Sequence, residues 1–318
     1  MRVVLAEPRG VCAGVARAIG ALDEALDLYG PPIYVRHHIV HNRSVVSGFR
    51  ARGVIFVDQL DEVPSGARVL FSAHGVPRAV QVEAARRRLR AVDTTCPLVT
   101  KVHSEVKRHA AQGRTTILIG HRNHVEVIGT LGNAPEGSIV VIETVADAEN
   151  IQIDPKRSYA YATQTTLSYD QTAQIIAVLK GRIPSLASPR REDICFATTN
   201  RQTAVKALAD RCDMILVLGG RESSNSQRLV ETARRAGCSR AWLIETACEL
   251  ELSALSDCET LGITSGASTP EPLIDELLTR LSDWFSLVSE TLTMNKETVT
   301  FRPVSLAALG VNAATEMR

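Results

Sequence analysis

The stretch RGVCAGVARAIG, residues 9–20, sets Cys12 between two glycines at the point where a strand, VVLAE, gives way to a helix. Apolar residues recur at helical spacing as far as Leu26, and Gly30 with the two prolines after it ends the helix. Unpaired N–H groups and the positive end of the helix dipole favour a thiolate near a helix start. The alternative is a buried structural cysteine, which is the commoner fate of a free thiol.

The same junction recurs twice farther along the chain. Each of the three cysteines is followed by a helix, a strand and a polar loop, and the strands are PIYVRH, TTILIG and MILVLGG. The intervals are 29, 28 and 29 residues, measured from Cys12 to His41, from Cys96 to His124 and from Cys195 to Ser224. Repetition at a fixed period predicts similar units that pack against one another.

Alternating strand and helix patterns predict an α/β protein with mainly parallel sheets. In the first two units a fourth predicted strand, AVDTTC or DICFATT, leads to the next cysteine. The third unit has no such strand after it, and the N-terminal strand VVLAE can take that position. We therefore predict a trefoil of three similar α/β lobes around a pseudo-threefold axis. The predicted lobes are residues 14–96, residues 97–193, and residues 1–13 with 194–318. The last includes a C-terminal tail, which from about Ser305 shows no clear pattern and is expected to be disordered.

Composition excludes several classes of function. The chain has 318 residues, a net charge of +1 and seven cysteines with no CxxC pair. The balanced charge argues against a general nucleic-acid binder, and no apolar run approaches the length of a membrane span. Without a signal-peptide pattern or a disulfide framework, we expect reduced thiols and a cytoplasmic location. GxGxxG and P-loop motifs are absent.

The three cysteines occupy equivalent points of the repeat, and a threefold axis brings equivalent points together. Each cysteine lies at the carboxyl end of a predicted parallel strand, where α/β lobes bind ligands. Three thiolates on this axis suit a central iron–sulfur cluster with one iron that has no protein ligand, whereas structural zinc is expected to take a fourth ligand. The remaining cysteines are predicted to be packing residues: Cys212, Cys238, Cys248 and Cys258.

A second set of polar residues lies at strand ends: His41, His74, His124, Thr165, Ser223, Asn225 and Ser268. Imidazoles, neutral donors and adjacent helix N-termini suit a phosphate or diphosphate. Glu126 follows His124 by two residues and could pass protons. For any one histidine the alternative is an ordinary surface or core residue, and for Glu126 it is a solvated loop carboxylate.

Arginines cluster in the segment VEAARRRLRAV, at Arg86, Arg87, Arg88 and Arg90. A solvated helix face is the favoured interpretation of such a run. The alternative is a docking patch for an acidic electron-carrier protein.

The motifs GVCAGV, IVHN, SAHGVP, DTTCPLVTKVH, GHRNHVEVIGT, TQTTLS, DICFATTNRQ, SSNS and GAS run in this order from residue 10 to residue 268. Together they resemble the LytB/IspH family of 4-hydroxy-3-methylbut-2-enyl diphosphate reductases. The resemblance implies a trefoil around an oxygen-sensitive [4Fe–4S] cluster. It also implies reduction of that allylic diphosphate to isopentenyl and dimethylallyl diphosphate, the last step of the methylerythritol phosphate route. A ferredoxin or flavodoxin is the implied electron donor.

The resemblance also implies roles for single residues. Cys12, Cys96 and Cys195 fall on the cluster ligands, Thr165 on the residue that contacts the substrate hydroxyl, and Glu126 on the proton donor. The implied diphosphate-binding positions are His41, His74, His124, Ser223, Ser224, Asn225 and Ser268.

The chain departs from the family pattern at two positions. Val125 replaces a common proline, which predicts a looser placement of Glu126, and Glu222 replaces a common asparagine beside the diphosphate site. Two rival functions stay open at this point. One is a cluster-dependent dehydratase, which needs no external electrons. The other is a non-catalytic diphosphate-binding or regulatory protein with a structural metal.

Overall fold

A computed structural model describes residues 1–310 of the chain. Its first third contains β1 (Arg2–Glu7), α1 (Ala13–Tyr29), β2 (Ile33–Arg36), α2 (Arg43–Ala51), β3 (Val54–Val57), β4 (Arg68–Phe71), α3 (Arg78–Arg86) and β5 (Arg90–Asp93). The middle third contains α4 (Pro97–Ala111), β6 (Arg114–Ile119), α5 (Val125–Leu131), β7 (Ile139–Ile142), α6 (Val145–Asn150), β8 (Ser158–Thr163) and α7 (Tyr169–Arg182). The last third contains α8 (Phe196–Ala209), β9 (Met214–Leu218), α9 (Ser224–Arg235), β10 (Ala241–Ile244), β11 (Thr260–Ser265), α10 (Pro272–Ser282), β12 (Val288–Thr293) and α11 (Ala307–Gly310).

The strands form three sheets in which every named strand pair is parallel. The sheet orders are β3-β2-β4-β5, β7-β6-β8 and β10-β9-β11-β1-β12. In each sheet the first strand after the cysteine lies between the second and the third, so the three lobes share one topology. The predicted α/β trefoil with three similar lobes is confirmed.

The N-terminal strand belongs to the third sheet, as the sequence predicts. β1 pairs with β11 in register from Arg2 opposite Thr260 to Leu5 opposite Ile263. Its other edge pairs with β12, a strand that the sequence analysis did not predict. The chain therefore closes on itself, because its first strand completes the sheet that its last third builds.

Both faces of each sheet are covered by apolar side chains, as parallel sheets require. Alternation along β4 shows this directly, since Leu70 packs on one face with α1 while Val69 and Phe71 pack on the other. The second lobe divides in the same way between Ile117 and Leu118 of β6. Because both faces of each sheet are packed, the carboxyl ends of the strands are left to build the site.

The fourth strand predicted around Cys195 is absent from the second sheet, and this prediction is wrong. Ala187 instead forms a single parallel bridge with Ala160 of β8. Farther along, the backbone N–H of Thr163 donates to the carboxylate of Asp193 at 3.0 Å, and Lys101 donates to the same carboxylate at 2.9 Å. The buried side chain of Asp193 thus accepts a backbone hydrogen bond at the edge of β8, where a neighbouring strand was expected to accept it.

The C-terminal tail packs against the first lobe over the part that the structure describes. Val304, Leu306 and Leu309 join the apolar cluster beneath α1. Arg68 of β4 donates to the carbonyl of Leu309 at 3.2 Å. The expectation of disorder is therefore wrong for residues 305–310, and for residues 311–318 it lies outside the described part. The predicted lobe boundaries themselves stay a prediction.

No helix among residues 1–310 is long and apolar enough to cross a membrane.

Candidate functional site

One cavity lies among the three lobes, at the carboxyl ends of their strands. All twelve residues predicted for the site line it: Cys12, His41, His74, Cys96, His124, Glu126, Thr165, Cys195, Ser223, Ser224, Asn225 and Ser268. Apolar side chains, among them Val15, Val40 and Val99, complete the wall. The structure brings the predicted set together, while the role of each member stays a prediction.

The three cysteines occupy equivalent positions in their lobes. Each is the residue immediately before a helix, with Cys12 before α1, Cys96 before α4 and Cys195 before α8. Each backbone N–H donates to a carbonyl of a strand-end loop, namely Ala267 at 3.0 Å, Ala73 at 2.9 Å and Thr165 at 3.1 Å, respectively.

Two of the three cysteine sulfurs lie beside Gly14. A Cβ atom placed on Gly14 would lie 2.5 Å from Sγ of Cys96 and 4.0 Å from Sγ of Cys12, so only glycine leaves the Cys96 sulfur in place. Burial raises the pKa of the Cys96 thiol to about 11 and that of Cys195 to about 12, and Cys12 raises both further by charge repulsion. The thiols of Cys96 and Cys195 therefore stay protonated at neutral pH unless a cation binds them.

The spacing of the sulfurs bears on what they could hold. Among the described residues, the three sulfurs do not form a group whose members all lie within 4.8 Å of one another. Thiolates on one tetrahedral zinc ion lie about 3.8 Å apart, because Zn–S bonds are about 2.3 Å long. The trio is therefore wider than a single zinc ion requires and suits a larger, cationic group.

Arg201 of α8 holds the loop that carries Cys12. Its guanidinium is fully buried and donates to the carbonyls of Gly10 at 2.8 Å and Ala197 at 2.9 Å. Glu297 pairs with it at 2.9 Å. Because a buried arginine is stable only when it is paired and hydrogen-bonded, these contacts fix the backbone just before Cys12.

Glu126 is buried against Thr165. Its carboxylate accepts hydrogen bonds from the backbone N–H of Thr165 at 2.6 Å and from the Thr165 hydroxyl at 3.0 Å. Burial raises the pKa of Glu126 to about 7, and the two hydrogen bonds from Thr165 limit the rise. The helix α5 begins at Val125 without the proline. The looser placement of Glu126 that this substitution predicts stays a prediction. A carboxyl with this pKa can donate or accept a proton near neutral pH.

Three imidazoles meet in the cavity wall. The ring centroid of His41 lies 4.1 Å from that of His74 and 5.5 Å from that of His124. Burial lowers the pKa of His41 to about 4 and that of His124 to about 3, and it lowers the pKa of His74 as well. Nδ1 of His124 accepts from the backbone N–H of Glu126 at 3.2 Å, which places its proton on Nε2. These imidazoles are therefore neutral at pH 7.

The third lobe supplies hydroxyl and amide groups. Ser223 caps α9, and Ser224 accepts a hydrogen bond from Gln164 of the second lobe at 3.3 Å. Both polar side-chain atoms of Asn225 are buried without a partner. Ser268 donates to the carbonyl of His41 at 3.0 Å. Buried unpartnered groups at a helix start provide a site for a polar anion.

Sequence reasoning missed several residues that shape the cavity. Gly14 was noted only as a neighbour of Cys12, and Arg201 was not singled out. Thr198 was also missed, although its hydroxyl lies 3.2 Å from Sγ of Cys195. The sequence feature that could have identified Thr198 and Arg201 is their position on the helix that follows Cys195, three and six residues after it.

The other cysteines and the arginine run lie away from the cavity. Three of the off-repeat cysteines are buried as predicted, whereas Cys248 is exposed, so its prediction as a packing residue is wrong. Arg87 donates to the carbonyl of Val63 at 2.7 Å, and Arg90 donates to that of Gly66 at 3.0 Å. Helix α3 ends at Arg86, and Arg87 and Arg90 bind loops of their own lobe, so the predicted solvated helix face is wrong for these two arginines.

Comparison with known proteins gives one consistent result. The family model described as LytB protein matches residues 3–282. The 4-hydroxy-3-methylbut-2-enyl diphosphate reductase of Gluconobacter oxydans is 51% identical over 306 residues, covering 95% of this chain and 91% of that protein. The protein of the same name from Hyphomonas neptunium is 52% identical over 298 residues, covering 94% of this chain and 95% of that protein.

Solved structures agree with these relatives. The E-1-hydroxy-2-methyl-but-2-enyl-4-diphosphate reductase from Plasmodium falciparum matches with a TM-score of 0.93 and 37% identity, over 97% of this chain and 96% of that chain. A second structure, of an (E)-4-hydroxy-3-methyl-but-2-enyl diphosphate reductase called the terminal enzyme of the non-mevalonate pathway, matches with a TM-score of 0.62 and 30% identity. It covers 89% of this chain and 99% of that chain.

Proposed function

The chain belongs to the LytB family, and on that premise we propose that it reduces 4-hydroxy-3-methylbut-2-enyl diphosphate to isopentenyl and dimethylallyl diphosphate. In this proposal Cys12, Cys96 and Cys195 hold a [4Fe–4S] cluster. The single observation that carries the proposal is that three cysteines, one from each strand-end junction, line the same cavity as a set of anion-binding groups. Its relatives bear the name of this reductase.

The cysteine set fits a cluster better than a single ion. The sulfurs are spaced more widely than one zinc ion needs, and Gly14 leaves open the space beside two of them. Buried neutral thiols lose their protons only to a cationic group, which ties cluster binding to release of protons. When bound, the cluster supplies electrons one at a time and a Lewis-acidic iron that no protein ligand occupies.

The anion-binding groups would hold the diphosphate and orient the carbon chain. His41, His74 and His124 line one side, and Ser223 to Asn225 with Ser268 line the other. A bound polyanion favours protonation of imidazoles whose pKa burial has lowered, so the site gains positive charge as it fills. Val15, Val40 and Val99 offer apolar wall to the short carbon chain. Fixing both ends of the substrate raises the effective concentration of the reacting groups.

Glu126 and Thr165 would deliver the protons. Replacing the allylic hydroxyl by hydrogen consumes two electrons and two protons and releases water. With a pKa of about 7, Glu126 holds a proton in about half of the molecules at neutral pH. Its contact with the Thr165 hydroxyl forms a two-residue path from a buried carboxyl to the cavity. We assign the proton-donor role to Glu126 and contact with the substrate hydroxyl to Thr165.

The electron donor would be a ferredoxin or flavodoxin. Cys195 and Leu98 line both the cavity and a surface groove that also contains Lys101, Arg191 and Lys206. Cys195 therefore links the cavity to a groove that an outside protein could cover. We place the reaction in the cytoplasm, because the cysteine thiols must stay reduced to bind the cluster.

Anaerobic turnover tests the proposal against its rivals. The purified protein is mixed with 4-hydroxy-3-methylbut-2-enyl diphosphate, with and without a one-electron reductant, and the products are separated by chromatography. We expect isopentenyl and dimethylallyl diphosphate only when the reductant is present. Conversion without a reductant would favour the dehydratase. A colourless protein that contains zinc and binds the diphosphate without converting it would favour the regulatory role.

A further inference from the structure

A group of three potential metal ligands lies at the outer edge of the cavity. His38 and His41 are on the loop after β2, and Glu222 is on the loop after β9, just before α9. Nδ1 of His38 lies 3.5 Å and Nδ1 of His41 lies 3.9 Å from one carboxylate oxygen of Glu222. Over residues 1–310 this is the one group of three such residues whose ligand atoms all lie within 4.8 Å of one another.

These separations are too long for good hydrogen bonds but suit a shared ion. Neither imidazole forms a hydrogen bond to Glu222, and both ring nitrogens of His41 are buried without a partner. Ligands on a tetrahedral ion lie about 3.3 Å apart when the bonds to N and O are about 2.0–2.1 Å long. A cation between the three atoms would therefore need only small side-chain rotations.

Backbone contacts hold the two loops together before any ion binds. A Cβ atom on Gly220 would lie 2.6 Å from the carbonyl oxygen of His41, so the loops touch where Gly220 has no side chain. The Ser268 hydroxyl donates to the same carbonyl at 3.0 Å. Because the first and third lobes are fixed at this point, the ligands are arranged in advance, which raises metal affinity.

We propose that His38, His41 and Glu222 form a site for a divalent transition-metal ion, such as Zn²⁺, that joins the first and third lobes. Two imidazoles and one carboxylate are the ligand set of many zinc sites that keep a fourth position open. Burial lowers the pKa of His41 to about 4, so its imidazole is neutral and able to bind a metal at pH 7. The side chain of Glu222 is 71% exposed, which leaves a path for the ion from solvent.

The ion would reverse the charge at this edge of the cavity. Without it, the carboxylate of Glu222 repels an incoming anion. With it, the edge becomes positive, and the metal on Nδ1 of His41 leaves the ring proton on Nε2, the atom that can donate to a ligand. This consequence rests on the proposed diphosphate site, whereas the metal site itself does not.

Zinc titration of the cluster-loaded protein under anaerobic conditions tests the site. We expect one equivalent of bound Zn²⁺ and a zinc X-ray absorption spectrum with nitrogen and oxygen ligands at about 2.0–2.1 Å and no sulfur shell near 2.3 Å. Glu222→Gln and His38→Ala should each weaken binding by at least about tenfold. The matched control is Glu143→Gln, because Glu143 faces a single histidine, His121, at 3.2 Å.

Three results would overturn the proposal: no zinc bound, a sulfur shell in the spectrum, or equal affinity in wild type and both site variants. Titration of inorganic diphosphate with and without Zn²⁺ then tests the consequence. We expect zinc to tighten diphosphate binding in wild type and not in Glu222→Gln. Since the zinc measurement uses no substrate, it stands whether or not the chain proves to be a reductase.

Discussion

Replacing Glu126 with glutamine removes an ionisable group from the cavity and keeps its shape. The glutamine carbonyl can accept from the backbone N–H of Thr165, and its amide can donate to the Thr165 hydroxyl, which also accepts. Both oxygens and the amide nitrogen of this contact then keep one partner each, so the substitution itself costs little. The variant therefore isolates the effect of the titrating carboxyl.

The size of the effect follows from the pKa of Glu126. Burial raises it from 4.5 to about 7, which corresponds to about 3 kcal/mol of folding free energy. A carboxyl whose pKa is higher in the folded than in the unfolded protein stabilises the fold fully at pH values below the unfolded pKa. This stabilisation is lost as the pH rises through the folded pKa. Wild type should therefore lose about 2 to 3 kcal/mol between pH 5 and pH 8 that the Glu126→Gln variant keeps. Turnover should fall by about 10²- to 10⁴-fold, because the proton donor is gone.

Anaerobic denaturant unfolding of both proteins at pH 5 and pH 8 measures the difference. Other titrating groups cancel, since they are common to both chains. The variant should exceed wild type by about 1 kcal/mol at pH 5 and by about 3 kcal/mol at pH 8. Equal pH dependence in the two proteins would refute the assignment of the raised pKa to Glu126. Unchanged turnover would move the proton-donor role to another residue.

Two further predictions concern the neighbouring groups. Gly14→Ala should lower the iron content of the anaerobically purified protein, because the added Cβ would lie 2.5 Å from the sulfur of Cys96. The control is Gly20→Ala on the same helix, whose added Cβ meets nothing within 4 Å and which should keep the iron. Inorganic diphosphate should bind with uptake of protons at pH 7, because burial holds the pKa of His41 at about 4 and that of His124 at about 3 in the free site. Calorimetry in two buffers of different ionisation enthalpy measures the uptake. No uptake would contradict the protonation of these imidazoles by a bound diphosphate.

The architecture could be predicted from the sequence because the repeat is expressed in local patterns. Each unit shows the same succession of cysteine, helix, strand and polar loop at matched intervals. Because the third unit lacks a fourth strand, the sequence predicted that the N-terminal strand completes its sheet, and β1 pairs with β11. Such inferences succeed where the pattern of hydrophobic residues and the topology rules agree.

The failures come from tertiary contacts that leave no local signal. The edge of β8 is satisfied by the carboxylate of Asp193, so the segment before Cys195 needs no ladder of backbone hydrogen bonds. The tail around Leu309 is ordered by packing on the first lobe, more than 200 residues away in sequence. Propensity and periodicity describe neither contact.

The candidate site, too, could be predicted only in part from the sequence. Repetition identified which cysteines and loop residues meet, because a threefold arrangement superposes equivalent positions. It could not show that Glu126 is buried against Thr165, or that burial outweighs the helix dipole at Cys96 and Cys195. Nor could it show that Glu222 faces two imidazoles. These features depend on how loops from different lobes dock, and on the desolvation that follows.

Iron and acid-labile sulfide analysis of the anaerobically purified protein tests the cysteine assignment most directly. About four irons and about four sulfides per chain should be found in wild type and in the Cys212→Ala control, whose thiol lies in a packed core. Cys12→Ala, Cys96→Ala and Cys195→Ala should each lose the cluster and its visible absorption. A full complement of iron and sulfide in any of these three, or loss in Cys212→Ala, would contradict the account.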